Sequence, residues 1–103
     1  MTIDTLNDQN FDSVTSDGVT LVDFYADWCG PCKRMLPVVE SVASSLGETV
    51  KVVKVNVDQS PLTSRKFGIK TIPTFALVKD GQIVSKLIGS KPESELLAFA
   101  SST

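Results

Sequence analysis

Apolar positions along the chain recur with two different periods, and the switches between them mark the secondary-structure elements. Val19 to Ala26 (VTLVDFYA) is apolar on both faces apart from Thr20 and Asp23, and follows a turn at Asp17-Gly18. That pattern predicts a central strand covered on two sides. Upstream, Asn7 to Ser16 is short and polar with Phe11 and Val14 three apart, which predicts a first short helix, and Thr2 to Leu6 reads as an edge strand. The longest helical stripe follows: Met35, Val38, Val39, Val42, Ala43 and Leu46 recur at helical spacing, with Lys33, Arg34, Glu40 and serines on the other face. Gly47 stands where a left-handed cap would end this helix. Pro37 falls inside it, removes one hydrogen bond, and is expected to kink the axis.

Thr49 to Val57 (TVKVVKVNV) is β-branched and predicts a second buried strand. Ser60-Pro61 then offers an N-cap with proline at the first helical position, for a helix running to Phe67 and closed by Gly68. Thr74 to Lys79 and Gln82 to Ile88 flank Asp80-Gly81, a dipeptide suited to a type I′ hairpin. A last amphipathic helix spans about Pro92 to Ser101, with Leu96, Leu97 and Phe99 inward. The strand–helix–strand unit should cross over right-handed and pair its strands in parallel, while the hairpin adds antiparallel ones. The expectation is an α/β fold: one domain over residues 1–103, a mixed sheet with helices on both faces.

Composition narrows what such a domain can do. At 103 residues it buries roughly two-thirds of its unfolded surface, enough for a core without staples. A net charge of −2 argues against nucleic-acid binding, which needs a basic face. Charges interrupt every apolar stretch before the roughly 20 residues a membrane span requires. The opening MTIDTLNDQN has neither a basic leader nor an apolar core segment, so an intracellular, cytoplasmic protein is expected. The absence of His removes Ser-His and Cys-His catalysis, leaving Cys, acids, Lys or Tyr to carry any chemistry.

The two cysteines, Cys29 and Cys32, lie in WCGPC between the central strand and the long helix. A zinc site would need four ligands, which only a symmetric dimer could assemble. A permanent disulfide across so small a ring would restrain little unfolded-state entropy. Reversible thiol–disulfide exchange fits better. Residues i and i+3 at a helix start lie roughly 5–6 Å apart, close to the Cα separation of a disulfide. The unpaired N–H groups and positive dipole end there favour a thiolate at Cys29, while Cys32, one turn in, is expected to be more buried and less ionised. Cys29 is therefore the expected nucleophile and Cys32 the resolving thiol of a redox Cys29–Cys32 disulfide. Gly30 would let a partner's backbone approach, and Pro31 suits the first turn.

Two neighbours of the pair carry chemistry of their own. Asp23 interrupts an apolar strand six residues before Cys29. It could point out from an edge, but Val22 and Phe24 beside it favour a buried acid, protonated to unusually high pH and able to exchange a proton with Cys32. Trp28, the only tryptophan, is either core or a partly exposed indole beside the sulfur, suited to client contact.

VDFYADWCGPCK resembles the active-site segment of the thioredoxin family, and KVNVDQSP, FGIKTIPTF, KDGQIV and LIGSKPESEL resemble it in order and spacing across the chain. The resemblance implies a thioredoxin fold, a five-stranded mixed sheet with four helices, and a protein-disulfide reductase without bound cofactor or metal, recharged by a thioredoxin reductase. It implies clients such as ribonucleotide reductase, peroxiredoxin and methionine sulfoxide reductase, and a monomer. It gives Asp23 the proton-transfer role and places Lys54 near it as a tuner, although by its pattern alone Lys54 could snorkel to solvent. It implies a cis Ile72–Pro73 bond, with the Ile72 backbone offered to an extended client, and sets Gly89, otherwise a plain strand-ending turn, in the same groove. Tyr25 stands where many members carry Trp. Two rivals stay open: a redox-independent interaction subunit, and an oxidase or isomerase of an oxidising compartment, the latter disfavoured by the Gly-Pro pair between the cysteines.

Overall fold

In a computed structural model, which describes residues 3–103, nine elements follow one another. They are β1 (Asp4–Leu6), α1 (Phe11–Thr15), β2 (Val19–Tyr25), α2 (Gly30–Leu46) and β3 (Lys51–Asn56), then α3 (Pro61–Lys66), β4 (Thr74–Lys79), β5 (Gln82–Ile88) and α4 (Glu93–Ala100). The sheet runs β1-β3-β2-β4-β5, with β3 parallel to β1 and β2, and the β4–β5 hairpin antiparallel on the other side. Of the expected first strand, Thr2 lies outside the described residues.

Strand alternation divides the core in two. Leu21 and Phe75 pack with Met35, Val39 and Val42 of α2 and Leu96 of α4. Val22, Phe24, Val53, Val55, Ala76 and Val78 face the opposite way, against Phe11 of α1 and Phe67 after α3. The central strand is thus covered on both faces, which is why its pattern is nearly continuous.

As expected, Pro37 lies inside α2, which runs on to Leu46, and its missing N–H falls at an exposed position. Other local expectations needed correction. Gly47 has the expected positive φ (59°) but ψ −125°, and Thr49 N–H donates to the Leu46 carbonyl, so the helix leaves through a type II′ turn, not a left-handed cap. The hairpin is as expected, with positive φ at Asp80 and Gly81. Its register slips between Leu77 and Val78, leaving Val84 as the extra residue of a bulge in the edge strand.

Ser60 occupies the N-cap of α3, but its hydroxyl makes no capping bond and is buried without a partner. Asp8, from the loop after β1, caps α3 instead. Its carboxylate accepts from Leu62 N–H (3.1 Å), Thr63 N–H (2.8 Å) and the Thr63 hydroxyl (2.6 Å). A charged acceptor satisfies the free donors of a helix start better than a hydroxyl does.

The Thr63 hydroxyl, with these backbone donors, holds the Asp8 carboxyl below its ordinary value of 3.8. The stabilisation is therefore complete above the unfolded pKa and is lost as pH falls through the lower folded one. Asp8→Ala is expected to melt at a lower temperature at pH 7, with the gap closing as the medium is acidified. A gap that ignores pH in thermal denaturation would mean that the charge contributes nothing to the cap.

Candidate active site

The central strand β2 delivers the chain to the site. After Tyr25 a short turn leads to Cys29, whose N–H donates to the Ala26 carbonyl (3.2 Å) and whose extended backbone (φ −87°, ψ 109°) makes it the N-cap of α2. Gly30 and Pro31 form the first helical positions, so the proline removes a donor that has no helical partner. The Cys29 sulfur accepts the Cys32 N–H at 3.1 Å, and the two cysteines are bridged with their Cα atoms 5.3 Å apart. A sulfur in this position takes the place of the oxygen in an ordinary helix cap, facing the positive end of a seventeen-residue helix.

The expected difference in burial is absent: Cys29 is 5% and Cys32 4% exposed, because the bridge holds both sulfurs in one apolar pocket with Ala26, Tyr25, Val57 and Ile72. What separates them is direction. Cys29 caps the helix, whereas Cys32 lines a cavity of about 260 Å³ together with Asp23, Tyr25 and Lys54. That volume is enough for several waters, at about 30 Å³ each.

Asp23 is the buried acid that its pattern favours. It is 2% exposed, and its Oδ1 has no hydrogen-bond partner. Burial pushes its pKa from 3.8 up to about 7, against the opposing pull of the Lys54 charge. Lys54 is the register partner of Asp23 on the neighbouring strand. It is half-buried, beyond ion-pair distance from the carboxyl, and its Nζ lies 5.3 Å from the centroid of the Tyr25 ring. The ammonium thus lies over the Tyr25 ring, and both residues line the cavity with Asp23.

The remaining candidates gather around the bridge. Trp28 is 70% exposed, and its indole N–H donates to Asp58 Oδ2 at 2.8 Å. Ile72–Pro73 is cis, and the Pro73 carbonyl accepts from Gly89 N–H at 2.8 Å, tying the end of β5 to that loop. Gly89 has φ +94° and open space where a Cβ would stand, so its backbone, not crowding within the chain, accounts for the glycine. At Gly30 a Cβ would meet only the flexible end of Arg34, 3.4 Å away.

The thioredoxin family model matches residues 2–102. The chain is 44% identical over 91 residues to a thioredoxin of Listeria monocytogenes, covering 88% of each chain. It is 44% identical over 96 residues to the thioredoxin of Bacillus subtilis, covering 93% of this chain and 92% of that one. A thioredoxin of Haemophilus influenzae is also 44% identical over 96 residues, covering 91% and 90%.

The chain belongs to the thioredoxin family. It is a dithiol–disulfide oxidoreductase, and its Cys29–Cys32 bridge is the redox disulfide. Membership implies disulfide-bearing client proteins and a reductase that renews the dithiol. Among the described residues no helix is long and apolar enough to cross a membrane.

Two contacts of the site escaped the sequence reading: Asp58 on the Trp28 indole, and the Tyr25 ring under Lys54. A signal for the first existed. β2 and β3 are parallel neighbours, so the loops at their carboxyl ends, holding Trp28 and Asp58, must converge.

Asp23 has a measurable thermodynamic signature. Its folded pKa lies above the unfolded value, so the folded protein keeps a proton that the unfolded chain releases. Stability then falls as pH rises from about 4 to about 7 and is flat beyond. Asp23→Asn removes the penalty. Urea unfolding should show the variant more stable than the parent by an amount that grows across this window to on the order of 4 kcal/mol at most. A constant difference from pH 4 to 8 would mean that Asp23 ionises normally.

Proposed function

We propose that the chain works mainly as a protein-disulfide reductase in which Cys29 attacks and Cys32 resolves. The single observation that carries this reading is the Cys29 sulfur at the N-cap of α2, accepting the Cys32 N–H. In the reduced protein that N–H and the helix dipole favour a thiolate on Cys29 and lower its pKa. The thiolate attacks one sulfur of a client disulfide, the other client sulfur leaves, and a mixed disulfide joins Cys29 to the client. Cys32 then loses its proton to Asp23 through water in the shared cavity and attacks the Cys29 sulfur. The second client thiolate leaves, and the Cys29–Cys32 bridge remains.

A carboxyl with a pKa of about 7 suits this proton traffic, since near neutrality it both accepts and returns a proton. Lys54 tunes it, because without the ammonium the carboxyl would rise further. Trp28, Ile72, Pro73 and Gly89 receive the client, whose extended segment pairs with the Ile72 backbone; Gly30 leaves room for its approach, and Pro31 suits the first turn of α2. Two electrons return from a thioredoxin reductase, with no resident cofactor or metal in the chain. The Gly-Pro pair supports a reductant of the cytoplasm, acting as a monomer on clients such as ribonucleotide reductase, peroxiredoxin and methionine sulfoxide reductase.

Reduction of insulin disulfides with NADPH and a thioredoxin reductase tests the assignment. Cys29→Ser should abolish turnover, and Cys32→Ser should accumulate a client adduct on Cys29. Adducts on Cys32 in the reciprocal variant would reverse the roles. Survival of the biological activity with both cysteines replaced by serine would favour an interaction subunit. In stopped-flow with the Trp28 signal, Asp23→Asn should slow resolution on the order of 100-fold near neutral pH while leaving the first attack unchanged. Equal effects on both steps would remove Asp23 from the proton path.

A further inference from the structure

Beside the cis Ile72–Pro73 loop, on the side away from the Asp23 cavity, lies a second recess of about 340 Å³. Residues 68–71 line it together with Thr74 of β4 and Lys86 and Ile88 of β5. Both charged groups are ammonium, and no carboxylate lines it, in a chain whose net charge is −2. Lys86 is anchored, its Nζ donating to the Phe67 carbonyl at 3.0 Å, which leaves its other protons for an incoming acceptor. Ile88 is exposed at the rim, and Ile69 is half-buried, so the recess pairs an apolar surface with two donors.

The recess is continuous with the proposed client groove. Thr71 precedes Ile72 in the chain, Thr74 follows Pro73, and Ile88 precedes Gly89. A client strand paired with Ile72 advances about 3.3 Å per residue, so one of its side chains within a few residues of the reacting cysteine reaches this recess. We propose that the recess is a specificity subsite that takes an acidic side chain, Asp or Glu, of the client segment, between Lys70 and Lys86. The inference rests on the reductase reading and deepens it. Charge pairs of this kind mainly raise the encounter rate and fix the register, and they weaken with salt.

The test uses the reduced full-length protein and a set of disulfide peptides identical except for Glu, Gln or Lys at each of four positions on either side of the reacting cysteine. At low salt a Glu at one or two of these positions should raise the second-order rate constant for reduction about five- to tenfold over Gln, and Lys should lower it. In 0.5 M salt most of that preference should vanish. Lys86→Gln, and independently Lys70→Glu on an exposed position, should erase or invert it while leaving the rate on the Gln peptide unchanged. That neutral rate shows that each variant is folded and active. A Glu preference that is absent in the parent, or that survives both substitutions, overturns the subsite while leaving the reductase reading intact. Failure to reduce the Gln peptide at all would overturn both.

Discussion

The structure turns on one hydrogen bond, from the Cys32 N–H to the Cys29 sulfur, because it makes a sulfur the cap of the longest helix. A helix start has free donors that need an acceptor, and here the acceptor is the reactive atom. The same contact therefore completes α2 and favours negative charge on sulfur. Cys32 follows one turn later, at a Cα separation of 5.3 Å that a disulfide spans. Gly30 and Pro31 fit between them because the first turn needs neither a bulky side chain nor the proline's missing donor.

Around this junction the protein accepts a cost in stability. Asp23 stands on a strand buried on both faces, with Oδ1 unpaired and its pKa displaced to about 7. Asp23, Lys54 and Cys32 line one cavity, and no close ion pair relieves the carboxyl. Elsewhere two clusters of buried apolar side chains form the core layers. The unpaired carboxyl lies toward the carboxyl end of β2, where the parallel strands β2 and β3 also gather their loops.

The central strand was legible because burial on both faces makes β2 a nearly continuous apolar run, and β4 and β5 were legible because they flank the type I′ turn at Asp80-Gly81. Where the sequence reading was wrong, the competing partner was far away in the chain or depended on backbone detail. Ser60 has the right residue type for a cap, but Asp8 reaches α3 across the sheet end and displaces it. Gly47 has the expected sign of φ, yet the turn that follows α2 selects a different ψ. The burial difference between the cysteines vanished because the bridge draws both sulfurs into one apolar pocket.

By itself the sequence determined the class of fold, the helix on which the sulfurs sit, and an acid too deep in an apolar strand to be ordinary. Each of these rests on short-range facts: periodicity, residue type and spacing along the chain. Only the tertiary structure decided which way each cysteine faces, that Lys54 lies over Tyr25, that Asp58 holds Trp28, and that two lysines share a recess beside Pro73. These depend on strand order and register, which bring residues tens of positions apart within a few ångströms, and no local pattern encodes such a distance.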